Sequence, residues 1–223
     1  VFLGRCLLFL WLLLFADALL LGNLEEKTSL GVLREAGIPQ ESFQEAGISS
    51  EDALLYVEFW EDLEYFPLAF PCSRKEEFFF ENGWHDKRNY GGERLHEGCD
   101  IFGRQSISGY YPVVSITDGV VEQVGWLPLG GWRIGIRSSG GGYFYYAHLS
   151  SYGRKFTEGE KINAGELLGF LGDSGYGTEG TTGKFPPHLH LGIYVRTEKE
   201  EEYALNPYPV LKFLQEKQKI FFY

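Results

Sequence analysis

The apolar positions of the chain fall into three textures. Cys6 to Gly22 is an almost unbroken apolar run behind the single basic Arg5, interrupted only by Asp17, and polarity returns at Asn23-Leu24-Glu25-Glu26-Lys27. The run is about the shortest length that spans a bilayer as a helix. Ala16-Asp17-Ala18 also has the small-residue form of a signal cleavage site, so a signal peptide and an uncleaved signal anchor are both open. Leucines that continue past Ala18 favour the anchor. A buried core helix is the remaining alternative; either membrane reading makes residues 1–23 a hydrophobic, membrane-directed helix and places the rest of the chain outside the cytoplasm.

Residues 24–65 carry apolar positions at helical spacing, in Ser29 to Ala36 and again in Ser50 to Leu63, separated by Gly37-Ile38-Pro39. They predict a short helical stalk or linker, with Ser49 and Asp52 placed to cap the second helix. The acidic cluster Glu58, Glu61, Asp62 and Glu64 reads as a solvated face.

From Phe66-Pro67 to the end, residues 66–223, the pattern becomes short apolar runs punctuated by glycine. Pro112 to Gly125 reads as strand, Asp118-Gly119 turn, strand. Trp132 to Arg137 and Gly142 to His148 follow as a second hairpin around Ser138 to Gly141, and Lys161 to Gly172 supplies further short strands. Asn206-Pro207 stops the sheet, and Val210 to Lys219 predicts a terminal helix. The class is mainly β, an antiparallel β-sandwich or barrel-like domain.

Composition narrows the functions. With 31 acidic against 20 basic residues the formal charge is −11, which argues against a nucleic-acid partner. Cys6, Cys72 and Cys99 show no C-x-x-C spacing, and Cys6 lies in an apolar segment, so a disulfide framework is not indicated.

The chemistry lies with the histidines. His188-Leu189-His190 opens an apolar run, Leu191 to Val195, that reads as a strand entering the core. Alternation puts His188 and His190 on one face, about 7 Å apart at their Cα atoms. Arg94-Leu95-His96-Glu97-Gly98-Cys99-Asp100 contains an H-x-x-x-D spacing in a glycine-shaped loop, and a nitrogen plus a carboxylate oxygen suits zinc. Tyr146-Ala147-His148-Leu149 places another histidine at a strand end. Singly, each context is compatible with an ordinary surface or structural histidine. His85, in Trp84-His85-Asp86, reads as a loop residue.

Together and in this order, H-x-x-x-D, Tyr-x-His-Leu and H-x-H resemble the lysostaphin-type, or LytM-like, zinc metallopeptidases. The resemblance runs from about Phe66 to Leu214 and includes the Asp118-Gly119-Val120-Val121, Ala164-Gly165-Glu166 and Gly172-Asp173-Ser174-Gly175 turns. It implies a duplicated hybrid motif fold and one zinc ion held by His96, Asp100 and His190. It further implies His148 and His188 as catalytic imidazoles off the metal, and peptidoglycan peptides as substrate. A non-catalytic cell-wall binding or scaffold module on the same fold is the alternative. Cys99 departs from the family pattern, standing where a small polar residue is commoner; as a thiolate it could compete for zinc. Four loops, Phe78 to Gly92, Gly125 to Trp132, Ser151 to Phe156 and Ser174 to Phe185, are expected to wall a substrate groove.

Overall fold

The computed structural model describes residues 31–71, 78–90 and 92–221. The apolar run at residues 1–23, read above as a membrane-directed helix, lies outside them, as do Cys6 and Cys72. No helix among the described residues is long and apolar enough to cross a membrane. The chain divides into two compact units, the first ending at Val57 and the second beginning at Glu58.

In the first unit short helices run over Gln40–Glu45 and Ser50–Leu54. The sequence Glu-Ala-Gly-Ile occurs twice, at 35–38 and 45–48, and each copy ends a helix the same way. Gly37 and Gly47 adopt φ +68° and +66°, and the Ile38 and Ile48 N–H groups donate to Leu33 O and Phe43 O, both five residues back. This satisfies carbonyls left over at a helix C-terminus and uses the left-handed backbone that glycine adopts without strain. Ser49 caps the next helix as predicted, accepting from Asp52 N at 3.0 Å. The single helix expected over Ser50 to Leu63 is instead two, Ser50–Leu54 and Val57–Trp60. Leu55 N and Tyr56 N turn to carbonyls three residues back, and the tighter turn carries Tyr56 onto Phe43, ring centroids 4.8 Å apart.

The second unit contains strands β1 (Phe70–Pro71), β2 (Phe78–Phe80), β3 (Lys87–Arg88), β4 (Arg94–Leu95), β5 (Cys99–Gly103), β6 (Pro112–Val114) and β7 (Gly119–Leu127). After them come β8 (Gly131–Arg137), β9 (Tyr143–Tyr152), β10 (Lys161–Ile162), β11 (Leu167–Leu171), β12 (Leu189–Val195), β13 (Tyr203–Leu205) and β14 (Ile220–Phe221). Among the described residues, the principal sheet runs β10-β7-β8-β9-β12-β5-β2, with β11 joining β9 to β6 and β13 on β12. Its pairings are antiparallel, as the alternating pattern predicts. Ile101, Val113, Ile134, Phe144, Leu149 and Leu191 are fully or almost fully buried and form its core.

The hairpin around Ser138 to Gly141 forms as expected, closed by Ser138 N to Gly142 O at 2.8 Å. The hairpin expected at Asp118-Gly119 does not form: β6 pairs with β11, while β7 pairs with β8 and β10. Gly119 lacks the positive φ that a two-residue hairpin of this type demands. Asp118 instead accepts from Ala164 N at 2.6 Å, tying two loops together. The terminal helix spans Tyr208–Leu214, with Pro207 at its N-cap; it is shorter than predicted because the chain leaves it to pair β14 with β1.

Candidate metal centre and cleft

The strand register assembles the site. His190 on β12 lies directly opposite Asp100 on β5 and Ala147 on β9, so these side chains share one face of three adjacent strands. His96, on the segment between β4 and β5, is buried at 2% exposure and reaches the same point. His96 Nε2, Asp100 Oδ1 and His190 Nδ1 form a triangle with sides of 3.1, 3.0 and 3.0 Å. Donors about 2.0–2.2 Å from one zinc ion stand at roughly such separations, so the nitrogen and oxygen set fits that metal.

The surroundings support the triangle. Arg88 Nη2 donates to Asp100 Oδ2 at 2.8 Å and so fixes the carboxylate with Oδ1 turned inward. His96 Nδ1 lies 3.0 Å from Gly83 O and 2.9 Å from Arg88 Nη2; a metal at Nε2 requires the tautomer that donates to the carbonyl, with Arg88 Nη2 left to Asp100. Burial pushes the Asp100 carboxyl upward, but its close contacts with the His190 and His96 ring nitrogens outweigh it and hold the group well below the usual carboxylate range. Gly98 is the residue that this crowding requires: a Cβ there would stand 2.3 Å from His190 Cε1.

His148 and His188 flank the triangle, their rings 4.8 Å apart. Simple alternation would turn His148 away from Ala147 and the shared face. The register of β9 against β8 shifts between Tyr146 and Leu149, however, and His148 takes φ +62° within that bulge. A bulge re-aims a side chain, here at the strain of a left-handed non-glycine residue, on the order of 1–2 kcal/mol. His148 N donates to Gly130 O at 2.8 Å, and its Nδ1 donates to Ser174 O at 2.8 Å. Ser174 is wired in turn, accepting from Trp132 N at 3.0 Å and donating to Leu149 O at 2.6 Å. His188 Nδ1 donates to Pro186 O at 2.8 Å, and its Nε2 stands 3.6 Å from Asp100 Oδ1. In both rings Nε2 is therefore the free lone pair. Burial, then the neighbouring His188, depresses His148 to about 3, and burial also lowers His188, so both are neutral at pH 7.

All five site residues expected from the sequence thus line one cleft of about 290 Å³. Three of the four expected loops contribute to its wall: Arg88 from the first, Leu129 and Gly130 from the second, Tyr176 and Phe185 from the fourth. Ser151 to Phe156 contributes none. His85 lies outside the cleft, its ring stacked on Trp84. Cys99 points away from Asp100 along the strand, its thiol donating to Glu81 O at 3.3 Å. Burial, then the Asp100 charge, pushes that thiol up to about 12, so it is not the thiolate that could have competed for metal. Sequence reasoning did not single out Arg94 or Tyr145, which also line the cleft. Tyr145 was signalled by its place two residues before Ala147 on the same strand face.

Three converging donors beside two neutral imidazoles, set in a cleft on an antiparallel scaffold, are the equipment of a metal-dependent hydrolase. Residues 94–207 match the model of Peptidase family M23, and the chain belongs to that family. It is 40% identical over 169 residues to an L-Ala–D-Glu endopeptidase of Bacillus subtilis, covering 76% of this chain and 50% of that protein. It is 32% identical over 119 residues to the glycyl-glycine endopeptidase ALE-1 of Staphylococcus capitis, covering 52% of this chain and 29% of that one. The chain therefore spans half the length or less of these curated relatives. A Ruminococcus gnavus crystal structure described as a glycyl-glycine endopeptidase, LytM, superposes with a TM-score of 0.68 at 48% identity, covering 82% of this chain and 74% of that one.

Proposed function

We propose that this chain is a zinc endopeptidase that hydrolyses peptide bonds of bacterial peptidoglycan outside the cytoplasm. The observation that carries the reading is the donor triangle, 3.0–3.1 Å on each side, with two imidazole Nε2 lone pairs facing the same cleft. His96, Asp100 and His190 hold the ion. Bound there, zinc supplies Lewis acidity toward the scissile carbonyl and brings the pKa of water toward neutrality.

The chain's own groups do the rest. With Nδ1 committed to a backbone carbonyl, each of His148 and His188 is an acceptor at Nε2 and takes the proton of the attacking water. Once protonated, the same Nε2–H becomes a donor, to the oxyanion of the tetrahedral intermediate or to the departing amine. The two rings share these roles. Burial raises the Tyr145 hydroxyl well above its ordinary pKa and keeps it protonated, a further donor in the wall. Residues 1–23 direct or anchor the chain at the membrane, the residues from 24 to Val57 form the stalk, and the unit that begins at Glu58 carries the catalysis. The two bonds named for the relatives, L-Ala–D-Glu and glycyl-glycine, are the substrates to test.

The test is incubation of the zinc-loaded chain with purified muropeptides of defined cross-link chemistry, read by mass spectrometry. New peptide termini that disappear on chelation are expected. Stoichiometric zinc with no bond cut in any digest refutes the reading and favours the non-catalytic cell-wall module.

A further inference from the structure

We propose that Arg94, with Arg88 beside it, makes the cleft a receptor for a free carboxylate next to the scissile bond, so that the chain takes L-Ala–D-Glu stems in preference to glycine bridges. This rests on the peptidase reading above and chooses between its two candidate bonds.

The cleft is a cationic island on an acidic protein. The chain carries −11, yet the charged residues lining the cleft are Arg88, Arg94 and Asp100. Asp100 is already committed, with Oδ2 on Arg88 and Oδ1 in the donor triangle, and a divalent ion on that triangle adds further positive charge. Arg94 has no such commitment. Its Nη2 donates to the Tyr176 hydroxyl at 3.2 Å, and no carboxylate among the described residues pairs with it. The Nε atoms of both arginines are buried without a hydrogen-bond partner. Tyr176 is itself held, at φ +56°, with the Tyr90 ring stacked on it at 4.2 Å and the Tyr90 hydroxyl donating to its carbonyl.

A guanidinium held by a fixed neighbour is a planar fork preorganised for a carboxylate. A glycine bridge has no charge to offer it and leaves the Arg94 guanidinium without a carboxylate partner. A D-glutamyl residue continued through its γ-carboxyl presents its α-carboxylate on the residue that follows the scissile bond.

The experiment uses the whole chain and two synthetic peptides, N-acetyl-L-Ala-γ-D-Glu-L-Lys with the α-carboxyl of D-Glu free or as the carboxamide, with pentaglycine as a third. Binding is read by calorimetry on zinc-loaded and zinc-free protein, and cleavage by mass spectrometry. The acid is expected to bind at least tenfold more tightly than the amide or pentaglycine, with the same bias in kcat/KM. Arg94→Gln brings the acid-to-amide ratio near one, Arg94→Glu inverts it, and Tyr176→Phe lowers it severalfold. Equal binding of acid and amide by the unaltered chain overturns the inference, as does an undiminished ratio in Arg94→Gln. If no peptide is cut but the binding ratio holds, the peptidase reading fails and the carboxylate site stands. If acid and amide are bound and cut equally, the reverse is true.

Discussion

Replacing Gly98 by alanine adds one methyl group and separates metal binding from folding. Gly98 does not occupy the left-handed region, so alanine is conformationally acceptable there and, space permitting, stabilises by about 0.4–1 kcal/mol through the unfolded chain. Space does not permit it. The new Cβ would stand 2.3 Å from His190 Cε1, 2.6 Å from Nε2 and 2.8 Å from Leu191 O, where ordinary contact begins at 3.4 Å. Leu191 is pinned by pairing with both β5 and β9, so the imidazole is what must yield, by about 1 Å. Metal bonds tolerate about ±0.2 Å. Losing only a supporting hydrogen bond to a ligand lowers metal affinity about 10–100-fold, so displacing the ligand itself is expected to lower it at least about 100-fold, or ~2.7 kcal/mol. The metal-free protein pays for the overpacking with about 1–3 kcal/mol of stability and keeps its fold. Zinc titration against a competing chelator, beside thermal unfolding of the metal-free protein, reads both quantities. Unaltered zinc affinity in Gly98→Ala would refute the placement of His190 as a ligand behind this glycine.

Further outcomes follow from the same geometry. His190→Ala is expected to lose stoichiometric zinc, whereas His148→Ala and His188→Ala retain it and lose about 10²–10⁴-fold in turnover, checked by metal analysis and steady-state kinetics; full activity in either of the latter removes its assigned role. Hydrogen bonds from Arg137, at 2.6 and 2.8 Å, hold the Glu122 carboxyl below its ordinary pKa against the opposing effect of burial. The unfolded chain then binds the proton more readily, so the pair's stabilisation is present above the ordinary carboxylate pKa and fades as pH falls through the lowered one. Glu122→Gln is therefore expected to lose about 1–2 kcal/mol at pH 7 and much less at pH 3, read by denaturant unfolding at both values. Cys99, with its thiol pushed up to about 12, is expected to resist alkylation at pH 8 in the folded protein and to react once unfolded. Peptide mapping distinguishes it from the other two cysteines, and labelling of the native protein would show the thiol to be accessible.

Much of the second unit was written in local pattern. Glycine-punctuated apolar runs announced an antiparallel β domain, and the Ser138 to Gly141 turn fell where its strands required. Where local signals had more than one solution, packing chose. Asp118-Gly119 looked like a hairpin turn, yet long-range pairing of β6 with β11 gave Asp118 a different partner. The run from Ser50 to Leu63 had helical spacing throughout, but it broke where Tyr56 turned onto Phe43.

Five candidate side chains were legible along the chain because the order of their short motifs resembles a known family, and residue type and motif order are local properties; alternation already put His188 and His190 on one face. Their meeting in one cleft is a matter of strand pairing. The register of β12 against β5 sets His190 opposite Asp100, and a bulge in β9 turns His148 back toward them against the ordinary alternation of a strand. Arg88 and Arg94 reach the same cleft from a pair of two-residue strands. A two-residue strand has no period to read, and a bulge depends on the partner strand it is counted against. Neither is a property of the chain until its neighbours are in place.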